Sequence, residues 1–465
     1  SDVMVASLSE AIKTMPMPRR MRWGRSTHDF LRPVSWLLAM HGDAVLPLQV
    51  LGLDASNQTY GHRFHAPEAM SLNSPADYEE RLEAAKVMAD PVRRRAFIED
   101  AVKRVARSLD GEPVMDEELL DEVTALVEWP VALAGRFDAE FLEIPKEALI
   151  QTMQENQRYF ALLDGKGMLM PAFITIANIE SNQPETVVDG NERVIRPRFA
   201  DTMFFWNQDK KQPLSAHQPQ LDRLLFQEKL GSVADKVARM TTLGEWLAAE
   251  LSHDTADVAL AVSLCKCDLN TEIVKELPKM QGICGRYYAT RDGHPESVCE
   301  AMEQHYFPNK AGGPLPAGLV SQIVSLADKT DTLAGIFGLG MKPTGAKDPF
   351  GLRRASLGIV RIMIEQKLDL DLDELLEQAL SIYGERLEAP DKAGMLAYII
   401  ERMRGYLIDQ GYAADAIDAV LAKGLTRPLD IVARLAAMQE FRSTEAAVSL
   451  AAASKRIGNL LKKVE

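Results

Sequence analysis

The spacing of apolar residues changes near residue 215, and that change limits the chain more than any other feature of its sequence. Ahead of it, apolar runs are short and are interrupted by Gly, Pro, Asn and Asp, the pattern of antiparallel hairpins joined by tight turns. Behind it, apolar residues recur three and four apart: Leu221, Leu224, Leu225 and Phe226, then Val233, Val237 and Met240, with 243–266 similar. That period places them on one face of a helix. The chain is therefore expected to be α+β, a mixed first part followed by helical parts.

Within the first part, 32–38 and 45–50 read as strands around a turn at His41, Gly42 and Asp43, and 54–57 reads as a second turn before 60–64. Residues 76–109 read as helix that Pro91 should break or restart, since proline lacks the N–H a helix interior needs. A further helix is expected over 116–129, with acidic residues in its first turn. Segments 141–145 and 158–163 read as strands flanking a helix over 146–154. Asp164, Gly165, Lys166 and Gly167 form a hairpin turn signal, and 169–179 reads as a buried strand. After 215, loops rich in Pro and Gly fall near 278–285, 308–318 and 340–351, and 352–465 reads almost wholly as helix.

Composition narrows the class. Hydrophobic residues make up 46% of the 465, enough for several cores, so a disordered chain is not expected. No run of about 18 apolar residues suggests a membrane helix, and no basic flank with an apolar stretch opens the chain as in a secretory signal. Cys265, Cys267, Cys284 and Cys299 lack the spacing of a zinc ribbon or a disulfide framework, which favours buried thiols in a reducing cytosol. With 67 acidic against 53 basic residues the net charge is −14. Clusters of basic residues in such a chain are held together against its average.

Four clusters stand out. Arg19, Arg20, Arg22 and Arg25 surround Met21 and Trp23, which suits phosphate contact with base stacking, or equally a half-buried strand with Trp23 in the core. Residues 91–107 hold six basic and two acidic residues and read as a solvated helix face. The loop 341–351 carries Lys342 and Lys347 and leads into Arg353 and Arg354. A helix start there would offer free N–H groups to a phosphate, unless Asp348 caps it. The loop lacks P-loop spacing. In the tail, Lys455, Arg456, Asn459, Lys462 and Lys463 cluster, and Lys455, Asn459, Lys462 and Lys463 can share a helix face, as an RNA-facing surface or a solvated end.

The carboxylates Asp268, Asp328 and Asp331 suggest a metal-dependent phosphohydrolase of the HD type, but Cys267 sits where the histidine before the first aspartate belongs. A divalent ion would have too few ligands, so Cys267, Asp268 and Asp328 read as a vestigial site and no metal is expected. The literal pair His253-Asp254 lies among polar residues at an expected helix end.

A family resemblance runs through the chain. Met21-Arg22-Trp23-Gly24, Phe30-Leu31-Arg32-Pro33, Gly61-His62-Arg63-Phe64 and Gln154-Glu155-Asn156-Gln157-Arg158-Tyr159-Phe160 begin it. It continues through Gly190-Asn191-Glu192-Arg193-Val194, Arg198-Phe199-Ala200-Asp201, Phe204-Phe205-Trp206 and Phe226-Gln227-Glu228-Lys229-Leu230-Gly231. Gly285-Arg286-Tyr287-Tyr288, Ala327-Asp328-Lys329, Asp348-Pro349-Phe350, Leu352-Arg353-Arg354 and Lys455-Arg456-Ile457 close it. Together these resemble the beta subunit of bacterial tetrameric glycyl-tRNA synthetase.

The resemblance implies ATP-dependent attachment of glycine to tRNA(Gly) by two catalytic alpha and two beta subunits in the cytoplasm, with ATP and Mg at the alpha subunit and no cofactor in this chain. It also implies an order of domains: an α+β region like the B3/B4 module over 1–215, a helical HD-like domain over 216–365, a helical linker region over 366–430, and the start of a helical anticodon-binding domain over 431–465. The family is longer at both ends, so a shortened chain is expected. The candidate tRNA contacts are Arg19, Arg20, Arg22, Lys342, Lys347, Arg353, Arg354, Lys455, Arg456 and Asn459. Two other functions compete: an HD-type phosphohydrolase, and a scaffold for the alpha subunit that binds no RNA.

Overall fold

The computed structural model describes residues 2–343, 347–388, 390–447, 450, 453 and 457. It divides into two compact units, Ser1–Met203 and Phe204–Glu465.

The first unit opens with a helix, Asp2–Thr14, in a stretch whose sequence suggests only strands and turns. Short strands follow. Met40–His41 pairs with Ala44–Val45 around Gly42, as expected, with the positive φ that favours glycine there. The expected strand 45–50 is interrupted at Pro47, which has no N–H to give a ladder, and resumes at Gln49–Val50. The turn expected at 54–57 lies earlier. Leu51 and Gly52 both have positive φ and form a two-residue hairpin loop, so Leu53–Ser56 is a strand. Leu37–Leu38 adds to that strand in parallel rather than antiparallel fashion.

A four-stranded antiparallel sheet forms the centre of this unit, in the order Glu112–Pro113, Phe160–Leu163, Leu169–Ala177, Val131–Arg136. Asp164 accepts from the N–H groups of Lys166 and Met168 and closes the hairpin turn anticipated at 164–167. Helices Pro91–Ser108 and Glu117–Leu126 cover the sheet through Ile98, Val102, Leu120 and Val123 against Phe160, Leu162 and Ile174. Pro91 restarts the helix at its first position, and Asp90 caps it by accepting from the Val92 N–H. The strand expected over 141–145 is instead a 3₁₀ turn, Ala139–Glu143. The unread strand Val131–Arg136 is half Ala and Gly (Ala132, Ala134 and Gly135), weak strand formers, and is held by its pairing with Leu169–Ala177. Gly135 is required there: a β-carbon would lie 2.3 Å from the Phe173 ring, which stacks on Tyr159 at 4.3 Å.

Among its described residues the second unit is mainly helical, with one hairpin, Leu225–Gln227 and Gly231–Ser232. The apolar residues at 221–226, expected on one helix, divide between the 3₁₀ segment Leu214–Arg223 and the strand Leu225–Gln227. Gln227 accepts from the N–H groups of Lys229 and Leu230 and so turns the chain back to Gly231–Ser232. At the centre lies the helix Leu319–Gly338, buried on nearly every side. It packs against Val233–Glu250, Glu296–Gln304, Leu352–Glu365 and Leu372–Tyr383. Helices Lys392–Asp409, Ala414–Leu421 and Pro428–Arg442 follow. The α+β class expected from the sequence is the class found.

Candidate functional site: a buried charge cluster

Helical spacing assembles the cluster. Lys236 and Arg239 lie three apart on the 233–250 helix, and Asp328 and Asp331 lie three apart on the central helix, so each pair shares a face. The two faces meet. Lys236 Nζ reaches Asp328 Oδ1 at 2.9 Å and Asp331 Oδ2 at 3.1 Å. Arg239 Nε donates to Asp331 Oδ1 at 2.7 Å, and its guanidinium lies 4.3 Å from the centre of the Tyr383 ring. The Tyr383 hydroxyl donates to the Asp331 carbonyl at 2.9 Å, so the 372–383 helix joins the same arrangement.

Lys266 enters from the other side. Its ammonium lies 3.1 Å from Asp328 Oδ2, 2.9 Å from His305 Nε2 and 4.1 Å from the centre of the Tyr306 ring. His305 Nδ1 is 2.9 Å from the Ala301 carbonyl; donating there, it leaves Nε2 as the acceptor for Lys266. Burial and then Lys266 hold the His305 imidazole well below its usual range, which fits that neutral tautomer. Burial pulls the Asp328 carboxyl upward, but the lysine charges, Lys236 and Lys266 first, outweigh it and keep it well below the carboxylate range.

The sequence-derived trio is therefore split. Asp328 and Asp331 belong to the cluster. Asp268 sits apart, its Oδ2 accepting from the N–H groups of Gly282 at 2.5 Å and Gly285 at 3.2 Å. Burial raises its carboxyl to about 6 against the pull of Gly282 and Lys266, and its Oδ1 has no partner. Burial likewise raises the Cys265 thiol to about 12 and pushes Cys267 up. His253-Asp254 is a helix start, with Asp254 accepting from the Ala256 N–H.

These residues do not fit a divalent metal. Lysine ammonium groups occupy both oxygens of Asp328, and Lys236 with Arg239 occupies those of Asp331. Among the described residues no three His, Cys, Asp or Glu side chains are grouped to hold an ion. Sequence reasoning missed Lys236, Arg239, Lys266, His305 and Lys329. The signal available was the matched three-residue spacing of opposite charges on two apolar-patterned segments.

The surface clusters fare differently. Met21 and Arg22 are both exposed in a two-residue strand, so the half-buried strand reading does not hold there. Arg20 turns back to donate to the carbonyls of Ile12 and Lys13, capping the first helix. In the 91–107 run, expected as a solvated helix face, Arg93 pairs with Glu83, Arg95 with Glu117 and Asp121, and Lys103 with Glu99, so neighbouring acids neutralise part of its charge. Lys342 pairs with Asp391 at 2.9 Å. Asp348 accepts from the N–H groups of Leu352 and Arg353, so these helix-start donors are satisfied by the chain itself rather than free for phosphate. Lys347 and Arg354 are exposed. Lys455, Arg456 and Asn459 lie outside the described residues.

Comparison with known proteins bears on both sites. The family described as glycyl-tRNA synthetase beta subunit matches residues 1–422. The glycine–tRNA ligase beta subunit of Chromohalobacter salexigens is 46% identical over 462 residues, 99% of this chain and 67% of that protein. Those of Ectopseudomonas mendocina and Pseudomonas aeruginosa are 47% and 46% identical over 459 and 464 residues, again with 67% of each relative covered. The chain belongs to the glycyl-tRNA synthetase beta subunit family.

Proposed function

We propose that the chain is the tRNA-binding part of a glycine–tRNA ligase, supporting ATP-dependent attachment of glycine to tRNA(Gly) by a catalytic alpha subunit. The observation that carries this reading is identity near 46% along almost the whole chain to proteins named as that ligase's beta subunit. The reading includes two alpha and two beta subunits, a cytoplasmic location, and ATP and Mg at the alpha subunit. Among the described residues no helix is long and apolar enough to cross a membrane. In this reading the second unit's charge cluster is the remnant of an HD-like site whose metal position lysines have taken.

The candidate RNA contacts are the exposed Arg19 and Arg22 in the first unit and the exposed Lys347 and Arg354, with the adjacent Arg353, in the second; the tail candidates Lys455, Arg456 and Asn459 lie outside the described residues. Arg20 and Lys342 are committed to neighbours within the chain and serve RNA only by leaving them. Filter binding of tRNA(Gly) tests the reading. Affinity should fall steeply with salt as bound counterions are released, and charge reversal at Arg19 with Arg22 should weaken it. Salt-independent or absent binding, with and without alpha subunit, would leave the chain as a scaffold.

A further inference from the structure

We infer that a cavity beside the charge cluster binds a phosphate group. The cavity has a volume of about 240 Å³, and Tyr306, Asp328, Lys329, Thr332, Gly351 and Arg354 form part of its wall. Among the described residues two of these side chains are bases with no ion pair. Lys329 is buried on the central helix. Its ammonium donates to Ser325 Oγ at 2.8 Å and to the His305 carbonyl at 3.1 Å, which leaves one of three N–H donors unused. Among the described residues no hydrogen bond or ion pair joins it to the adjacent Asp328, whose oxygens contact Lys236 and Lys266, although the two charges do act on each other. Arg354 makes one long hydrogen bond, 3.4 Å to the Asn309 carbonyl, and among the described residues it has no ion pair.

A buried base without an anion is costly, and the cost is relieved by neutralising the group or by supplying the anion. Burial does hold Lys329 at about 7, only partly opposed by Asp328. Of the charged side chains in the cavity wall, Lys329 and Arg354 outnumber Asp328, so the missing charge is negative. The backbone also makes room for the lysine. A β-carbon at Gly358 would lie 2.9 Å from Lys329 Cε, so the side chain crosses the bare glycine. The cavity is smaller than the roughly 300–1,000 Å³ typical of sites for whole drug-sized ligands, so it admits a phosphate and the first atoms esterified to it. A planar guanidinium and a lysine point charge are the usual pair for that group. The inference does not rest on the tRNA reading.

Sulfate, which stays doubly charged across the working range, is the first probe. Calorimetric titration of the full chain at low ionic strength should show one saturable site, and Arg354→Gln, an exposed substitution, should weaken it about tenfold, the loss expected for one charge-assisted hydrogen bond. Lys329→Met should remove the site; if that variant fails to fold, Arg354→Gln alone decides. Two further arms separate the sources of the phosphate. Displacement of sulfate by AMP but not adenosine assigns a small phosphate ester. Loss of tRNA affinity on removing its 5′-phosphate, matched by Arg354→Gln, assigns an RNA end. No saturable sulfate binding, equal binding in Arg354→Gln, or failure of both phosphate sources to compete would overturn the inference.

Discussion

Asp331→Asn is the sharpest test of the charge cluster. The Asp331 carboxylate is 2% exposed and receives Lys236 at 3.1 Å and Arg239 at 2.7 and 3.3 Å. Asparagine keeps the shape and removes the charge. Lys236 retains Asp328, but Arg239 loses its only carboxylate contact among the described residues. Burial alone would push the Arg239 guanidinium down; Asp331 is the main group that holds it above its usual value. Leaving such a charge buried without its partner costs about 3–5 kcal/mol, whereas replacing both partners by apolar residues is close to neutral. Asp331→Asn should therefore destabilise the second unit by about 3–5 kcal/mol, and Asp331→Leu with Arg239→Met by much less than the two single changes together. Because the chain has two compact units, one global transition is not assured. Urea titration should thus be read by hydrogen exchange in the helices Val233–Glu250 and Leu319–Gly338. A loss under about 1 kcal/mol, the value of an exposed pair, or a double change as costly as the sum, would refute the reasoning.

Three further outcomes follow from burial and packing. Asp268 has its folded pKa raised to about 6 from 3.8, so between those values the folded state holds more protons, and its contribution to stability falls as pH rises through that window. Lys329 is lowered to about 7 from 10.5, so between those values the unfolded state holds more protons, and its contribution rises with pH. Each slope approaches about 1.4 kcal/mol per pH unit within its window, and urea midpoints from pH 4 to 10 should lose the first in Asp268→Asn and the second in Lys329→Met. Gly135→Ala places a methyl 2.3 Å from the ring of Phe173, which Tyr159 stacks in place, and should cost about 1–3 kcal/mol in thermal unfolding of the first unit; Phe173→Leu should recover part of it.

What was legible in the sequence follows physical lines. Helices with a cap and a broad apolar face were readable: Pro91–Ser108 begins at a proline after Asp90, and Glu117–Leu126 begins after Asp116. The hairpins at Gly42 and at 164–167 carried their turn residues openly. Misreadings arose where tertiary pairing overrode local pattern. Val131–Arg136 is a strand because Leu169–Ala177 lies beside it, and 221–226 leaves the helix because Gln227 turns the chain. At the site, Asp328 and Asp331 were visible as carboxylates, but their partners were not. Lysine and arginine are normally read as surface residues, and only the fold shows Lys236, Arg239 and Lys266 turned inward.

That inward turn also changes what the net charge of −14 implies for RNA. Four bases, Lys236, Arg239, Lys266 and Lys329, are buried. Many exposed bases are spent on neighbouring carboxylates, as Arg93 is on Glu83, Arg434 on Asp430 and Arg442 on Asp415. The surface is therefore no general trap for a polyanion. A nucleic acid meets its attraction only where bases lack acids, among the described residues at points such as Arg19, Arg22 and Arg354. Few phosphates would then be neutralised, and because the salt slope scales with their number at roughly 0.7–0.9 per phosphate, it measures how local the contact is. A slope that falls by about one with each of these arginines removed would mark them as separate phosphate contacts. A slope unmoved by all three would place the RNA elsewhere on the chain.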